Sequence, residues 1–388
     1  MTTPTTTPAP ARKKATFNTL TVSQVRKLTD DAVEVSFAVP PELHDDYDYI
    51  PGQYVALRAT IDGQEVRRSY SICDAPVKGE VKVAIKRDRG GIFSTWANET
   101  LQPGMELEVM NPQGAFTSKT HMTGLNDPEA IKEAVDKLDN PHLVAVAAGS
   151  GITPIMAIAQ TVLSSSPETT FELIFANKGG GDVMFAEEIG DLKDRYPTRF
   201  AVHHVLSREQ RVNPLFSGRI DAEKLQKLLD NVVRTEKVDE WFLCGPFELV
   251  QLVRDELDAR EVERDNVRYE LFTTGKPSGN QGQTGRPVDV DPEGDNVEIK
   301  FQLDGLSGSA QSPTSANESI LNAALRVRSD VPFACAGGVC GTCRAKVTEG
   351  EVEMDENYAL EPDEIAAGYI LTCQARPLTD SVSVDYDA

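Results

Sequence analysis

The sequence predicts a multidomain chain: an antiparallel β-barrel, an α/β domain built on a parallel sheet, and a small cysteine-rich domain of strands and one helix. Three observations carry this. Apolar residues recur with period two from Phe17 to Phe116, and strand-like and helix-like segments alternate from His142 to Leu271. A Gly- and Pro-rich stretch, Thr273 to Asp295, then separates off a final segment holding four of the six cysteines. The 388 residues are enough for two or three domains with real cores. The boundaries expected are a disordered tail over 1–14, the barrel over 15–117, the α/β domain over 118–272, a linker over 273–295 and the last domain over 296–388.

The tail, "MTTPTTTPAPARKK", is dominated by Thr, Pro and Ala and has no apolar core, so it is expected to be neither folded nor a secretion signal. The barrel rests on short alternating runs, "VEVSFAVP", "QYVALRATI", "VKVAIKR" and "MELEVM", separated by turns such as "DDYDYIPG" and "DAPVKGE". Within it lies "RRSYSIC". On a strand, Arg68 and Tyr70 share one face and Ser71 takes the other. "KRDRGGIFSTW" follows, with Gly91, Ser94 and Thr95. An aromatic face, a cation, small hydroxyls and glycines suit a ring that carries a pyrophosphate, although an R-x-Y-S on a strand also arises by chance.

The α/β domain opens with "HLVAVAA", a continuous apolar run suited to a buried parallel strand, followed by the helical "PIMAIAQTVLSS". "TFELIFA", "RFAVHHVLS", "EWFLCG" and "VRYELF" are further strands, with helices around "FAEEIGDLKDRY" and "PFELVQLVRDELDAR". "AAGSGITP" joins the first strand to its helix. Gly149 and Gly151 let backbone approach a phosphate, and Pro154 suits a first helical turn. The pattern is not the G-x-G-x-x-G fingerprint, so an ordinary strand-to-helix turn is the alternative. Ser207 and Arg208, in "LSREQ", end the third strand where a ligand crevice is expected, and a hydroxyl beside a guanidinium recognises phosphate. A surface arginine on a loop is the plainer option. Cys244 ends the strand "EWFLCG", and Cys73 is assigned to the core.

The cysteines of "FACAGGVCGTCRAK" follow Cys335-x4-Cys340-x2-Cys343, with 29 residues between Cys343 and Cys373. This is the plant-type spacing for a [2Fe–2S] cluster. Gly337, Gly338 and Gly341 permit the tight turns that bring three thiolates and several amide N–H groups around one centre. A structural zinc site or free thiols are the alternatives, but zinc sites usually pair two short spacings. "VEIKFQLDG" and "VTEGEVEM" are expected strands, and "ESILNAALRVR" an amphipathic helix with Ser319 near its start. Residues 349–364 hold eight acidic side chains and no basic one, either a solvated face or a docking patch for a basic electron acceptor.

A net charge of −22 argues against nucleic acid and anionic membrane as partners, since both select basic surface. No run approaches the ~20 apolar residues of a membrane span, and a cytoplasmic location with reduced thiols is expected.

R-x-Y-S followed by G-x-x-S, and preceded by "PGQY" at Pro51 to Tyr54, resembles the ferredoxin–NADP reductase family. The resemblance implies that Arg68 contacts flavin phosphates, Tyr70 packs on the isoalloxazine, Ser71 approaches its N5, and Gly91, Ser94 and Thr95 hold the pyrophosphate. It likewise implies that "AAGSGITP" binds a nicotinamide dinucleotide with Thr153 near its ribose and pyrophosphate. Ser207 and Arg208 would read a 2′-phosphate, favouring NADPH over NADH, and Cys244 would lie beside the nicotinamide. The family's chloroplast members end in an aromatic that stacks on the flavin. This chain instead runs on through "YELFTTG", so Glu270 and Phe272 become candidates to border the ring.

The order flavin barrel, nucleotide domain, ferredoxin domain resembles oxygenase reductases, and the strands around one helix resemble the ferredoxin β-grasp fold. "AAGSGITP", "SGRIDAEKLQ", "ACAGGVCGTC" and "NYALEPDEIAAGYILTCQA" carry a likeness to the reductase subunits of phenylacetyl-CoA epoxidase systems. That likeness implies NADPH, FAD and a [2Fe–2S] cluster, with the di-iron oxygenase component of a multicomponent system as partner in phenylacetate degradation. A nicotinamide releases two electrons as hydride, whereas a plant-type cluster accepts one at roughly −400 mV. A flavin bridges that mismatch. Two other readings stay open: a reductase for a ring-hydroxylating dioxygenase or other monooxygenase, with FMN in place of FAD, and a non-enzymatic redox sensor that carries a cluster.

Overall fold

Strands of alternating polarity bury one face each, and in the first sheet that face turns inward. The structure is a computed structural model. It describes residues 15–88, 90–118, 141–233, 235–273, 288, 290–291, 294–328, 331–333, 337–338, 341–357, 359–360 and 362–388. The tail expected over 1–14 and most of the linker expected over 273–295 lie outside the described residues. The chain forms two compact units, the first essentially Phe17–Leu271 and the second Phe272–Ala388.

In the first unit, β1 (Phe17–Thr29), β2 (Ala32–Ala38), β3 (Tyr54–Ile61), β4 (Gln64–Ser71), β5 (Glu80–Lys86) and β6 (Glu106–Met110) form a six-stranded sheet in the order β4-β3-β6-β1-β2-β5. Its pairings are antiparallel. An antiparallel bridge between Ile72 and Val83 brings its two edges together, as a barrel requires. Val35, Phe37, Val55, Leu57, Val83, Ile85 and Val109 fill the interior. Burying each such side chain stabilises the fold by about 1.5–3 kcal/mol. Helix α1 (Ile92–Glu99) plugs the barrel with Phe93 and Ala97. The sequence shows this stretch only as glycines and hydroxyls suited to a pyrophosphate, with no sign of a helix. Eight residues are barely two turns, too short for helical periodicity to stand out.

The same unit contains a five-stranded sheet in the order β11-β10-β7-β8-β9. Its strands are β7 (His142–Ala148), β8 (Thr170–Asn177), β9 (Phe200–Leu206), β10 (Glu240–Pro246) and β11 (Val267–Thr273). The β10–β7, β7–β8 and β8–β9 pairs are parallel. Helices α2 (Ile152–Ser165), α3 (Ala186–Arg195), α4 (Ala222–Asn231) and α5 (Phe247–Ala259) make the crossovers. Helix α4 starts at Asp221, whose carboxylate accepts the Lys224 N–H at 2.9 Å. Chain order reverses between β7 and β10, so the crevice at their carboxyl ends is the natural ligand position of such a sheet. Hydrogen bonds from Ser118 Oγ to Glu240 Oε1 (2.6 Å) and from Ala75 N to Gln160 Oε1 (2.9 Å) tie the barrel segment to the nucleotide sheet.

The second unit is a mixed sheet in the order β13-β12-β18-β14-β16, built from β12 (Asn296–Leu303), β13 (Leu306–Pro313), β14 (Arg344–Glu349), β16 (Tyr369–Leu371) and β18 (Ser381–Asp385). β12 and β18 are parallel, and the β12–β13, β14–β16 and β14–β18 pairs antiparallel. Helix α6 (Ile320–Val327) buries Ile320, Leu321, Ala323 and Ala324 against the sheet, the β-grasp arrangement. Ser319 caps it, accepting the Asn322 N–H. A second hairpin pairs β15 (Val352–Met354) with β17 (Ala375–Pro377), and α7 (Pro362–Ala366) lies before β16.

Candidate functional site

β4 carries R-x-Y-S to the barrel edge. Ser71 is buried, whereas Arg68 and Tyr70, on the opposite face, are half-buried. The Tyr70 and Phe93 ring centroids are 5.8 Å apart, so helix α1 backs the tyrosine. Burial pulls the Arg68 guanidinium below its ordinary value, opposed by the charge of Asp88. Burial also pushes the Asp88 carboxyl up, opposed by Arg68 and Lys86. A phosphate beside Arg68 would offset the cost of its desolvation.

Gly91 is the N-cap of α1, so the first N–H groups of that helix lie beside the predicted pyrophosphate residues. The Ser94 hydroxyl is turned into the loop, where it accepts the Asp88 N–H at 3.0 Å. Thr95 stays half-buried on the first turn.

The turn "GSGI" after β7 shows why glycine is needed. Gly149 has φ +54° with open space where a side chain would point. A Cβ on Gly151 would sit 2.1 Å from the Cys244 carbonyl oxygen, so the two loops touch backbone to backbone. Thr153 is buried and donates its hydroxyl to the Ser150 carbonyl at 3.0 Å, bracing that turn.

Ser71 Oγ donates to Glu270 Oε2 at 3.0 Å, linking β4 to β11. Cys244, at the end of β10, is fully buried; burial pushes its thiol up, and the charge of Glu270 adds to this. Ser71, Cys244 and Glu270 therefore converge where the barrel meets the switch point of the parallel sheet. Of the two further candidates in "YELF", Glu270 joins this group, while the side chain of Phe272 is outside the described atoms.

Ser207 and Arg208 follow the end of β9. Their N–H groups donate to the carbonyls of Asn177 (2.9 Å) and Lys178 (2.8 Å). Arg208 and Lys178 are both exposed, which sets two cations on adjacent strand ends. No motif announces Lys178, because its place beside Arg208 depends on strand pairing.

In the second unit, Cys343 and Cys373 are buried. Cys335 and Cys340 lie outside the described residues, and among the described residues no group of three or more His, Cys, Asp or Glu is gathered for a metal. The surroundings nonetheless fit a cluster. The Thr372 N–H and hydroxyl both donate to the Cys343 carbonyl, at 3.1 and 2.9 Å, pinning the two cysteine segments together. Gly338 has φ +78°, and a Cβ there would meet the Glu356 carbonyl oxygen at 2.9 Å. In the acidic run, Glu364 pairs with Arg344 and Asp355 with Arg376, so part of that charge is spent within the domain.

Three family descriptions match in succession: an oxidoreductase FAD-binding domain over residues 19–118, an oxidoreductase NAD-binding domain over 145–255 and a 2Fe-2S iron-sulfur cluster binding domain over 306–378. Fold and site thus define an NAD(P)H-dependent flavin and iron–sulfur oxidoreductase. The E component of the 1,2-phenylacetyl-CoA epoxidase of Escherichia coli K12 is 42% identical, over 96% of this chain and 98% of that protein. The ferredoxin reductase component of the 3-ketosteroid-9-alpha-monooxygenase of Rhodococcus rhodochrous is 34% identical, over 95% of this chain and 96% of its own length. The solved phthalate dioxygenase reductase superposes with a TM-score of 0.57 at 21% identity, covering 95% of this chain and 98% of that one, a likeness of fold. The chain belongs to the oxygenase reductases with FAD, NAD and [2Fe–2S] domains, the family of these reductase components. Among the described residues no helix is long and apolar enough to cross a membrane.

Proposed function

We propose that this chain passes electrons from NADPH, through FAD and a [2Fe–2S] cluster, to a di-iron oxygenase that epoxidises the ring of phenylacetyl-CoA. The observation that carries the reading is the 42% identity, over nearly the full length of both chains, to the E component of the Escherichia coli epoxidase.

The residues divide the work. Arg68 and the first turn of α1 would hold the flavin phosphates, and Tyr70 would cover the ring. The turn Gly149–Gly151, braced by Thr153, would receive the nicotinamide nucleotide's pyrophosphate. Arg208, with Ser207 and Lys178, would recognise a 2′-phosphate, which is the ground for NADPH over NADH. Ser71, Glu270 and Cys244 would border the point where nicotinamide meets flavin; the burial of Ser71 and Cys244 excludes water, and the Ser71–Glu270 hydrogen bond holds the serine hydroxyl in one orientation. Cys335, Cys340, Cys343 and Cys373 would ligate the cluster. FAD, when bound, supplies the exchange between paired and single electrons.

The test is turnover of phenylacetyl-CoA by purified epoxidase oxygenase component with this protein and NADPH. Epoxide formation supports the reading, and brisk NADPH oxidation with no coupling to that component overturns the partner. Flavin released by heat should be FAD. The 34% identity to a ketosteroid monooxygenase reductase favours a second reading, service to another oxygenase, which the same assay with alternative oxygenase components separates.

A further inference from the structure

Thr372, the residue before Cys373, is wholly buried, and each of its polar groups is engaged. Its N–H and hydroxyl donate to the Cys343 carbonyl at 3.1 and 2.9 Å. Its carbonyl accepts the N–H of Leu321, in the first turn of α6, at 2.9 Å. Its Oγ1 in turn accepts the phenolic O–H of Tyr386 at 3.0 Å. Tyr386 follows β18, is 2% exposed, and is fixed by its own N–H on the Gln302 carbonyl at 3.0 Å. The apolar core accounts for its ring. A phenylalanine would pack as well there, so the hydroxyl needs a separate reason.

We propose that Tyr386 is a positioning residue that acts through Thr372 on the segments bearing Cys343 and Cys373 and raises the midpoint potential of the iron–sulfur cluster. The proposal rests on the reading of these cysteines as cluster ligands. The physical argument is directional. The O–H of Tyr386 points to Thr372, and the O–H of Thr372 points to the Cys343 carbonyl, so both dipoles turn their positive ends toward the backbone of a proposed ligand. Hydrogen bonds in such a chain polarise one another, and the effect is largest in a buried, low-dielectric setting. The added electron makes the cluster more negative, so an inward-pointing chain of positive ends favours the reduced form. Hydrogen bonding around cluster ligands is a recognised lever on cluster potential, here exercised through a ligand's backbone carbonyl.

The experiment uses the full-length holoprotein, with iron and sulfide content, electron paramagnetic resonance and a spectroelectrochemical titration as readouts. Tyr386→Phe removes only the hydroxyl. It should keep full cluster content and normal flavin reduction by NADPH, while the reduced-to-oxidised cluster ratio at a fixed solution potential falls several-fold. Replacing Tyr386 by 3-fluorotyrosine strengthens the donor without altering the packing and should move that ratio the opposite way. Unchanged ratios in both variants, or shifts of the same sign, overturn the proposal. Loss of the cluster from a folded Tyr386→Phe protein also overturns it, by making the hydroxyl a scaffold. If the phenylalanine variant does not fold, the fluorotyrosine shift decides alone. Wild-type protein without iron would instead sink the cluster reading itself.

Discussion

At the scale of single residues, the proposed chemistry gathers on Ser71, Glu270 and Cys244. A serine hydroxyl bonded to a carboxylate is held in one rotamer, and a fully buried thiol with a raised pKa stays a neutral, compact neighbour. Neither Ser71 nor Cys244 needs to ionise for the proposed role, which is to shape the place where hydride passes. Ser71→Ala is accordingly expected to leave flavin content unchanged and to slow flavin reduction by NADPH about 10- to 100-fold, since small errors in approach are costly in such transfers. Stopped-flow bleaching of the flavin band under anaerobic conditions measures this. Arg208 belongs to the same scale. A charge-assisted contact is worth about 1.5–3 kcal/mol, so Arg208→Ala should raise the Kd for NADPH about tenfold or more and leave that for NADH nearly unchanged. Equal weakening of both nucleotides in a titration would remove the 2′-phosphate role.

Single elements explain why those residues can meet. The Gly149–Gly151 turn lies so close to the end of β10 that any side chain at Gly151 would collide with the Cys244 carbonyl. Gly151→Ala should therefore destabilise the first unit by about 1–3 kcal/mol, as overpacking does, and weaken nucleotide binding together with it. Chemical denaturation followed by tryptophan fluorescence, beside a nucleotide titration, reads both effects; a stable variant with intact binding would show that the turn has more freedom than its contacts suggest. Helix α1 makes a related point. Its amino end supplies N–H groups where phosphate is expected, and its buried Phe93 carries Tyr70 on the other side. In the proposed site, one short helix would thus serve the two ends of a flavin.

For the molecule as a whole, the division into two compact units makes the redox groups separable. The residues proposed for flavin and nucleotide fall in the first unit, and the four cysteines proposed as ligands in the second. Cys340→Ser should abolish the cluster's visible absorbance while NADPH still bleaches the flavin at close to the wild-type rate. Loss of both signals would show that the units depend on each other for folding.

Much of this was legible in the linear text, and the reasons are local. Period-two runs such as "VKVAIKR" and the unbroken apolar "HLVAVAA" declare their strands because burial of one face or of both leaves its mark on consecutive residues. The cysteine spacing points to a cluster because three of the four proposed ligands fall within nine positions. Helix α1 escaped because eight residues show too little periodicity, and Lys178 because its cation matters only once β8 lies beside β9. By itself, then, the sequence determined the three-part order of the chain and most of its strands, and set the cysteines in a plant-type spacing, all written in short-range patterns. Tertiary structure alone decided that Ser71 meets Glu270 across 199 residues, that Gly151 presses on Cys244, and that Tyr386 reaches Thr372. Those contacts depend on how sheets close and cross, which no local run of residues encodes.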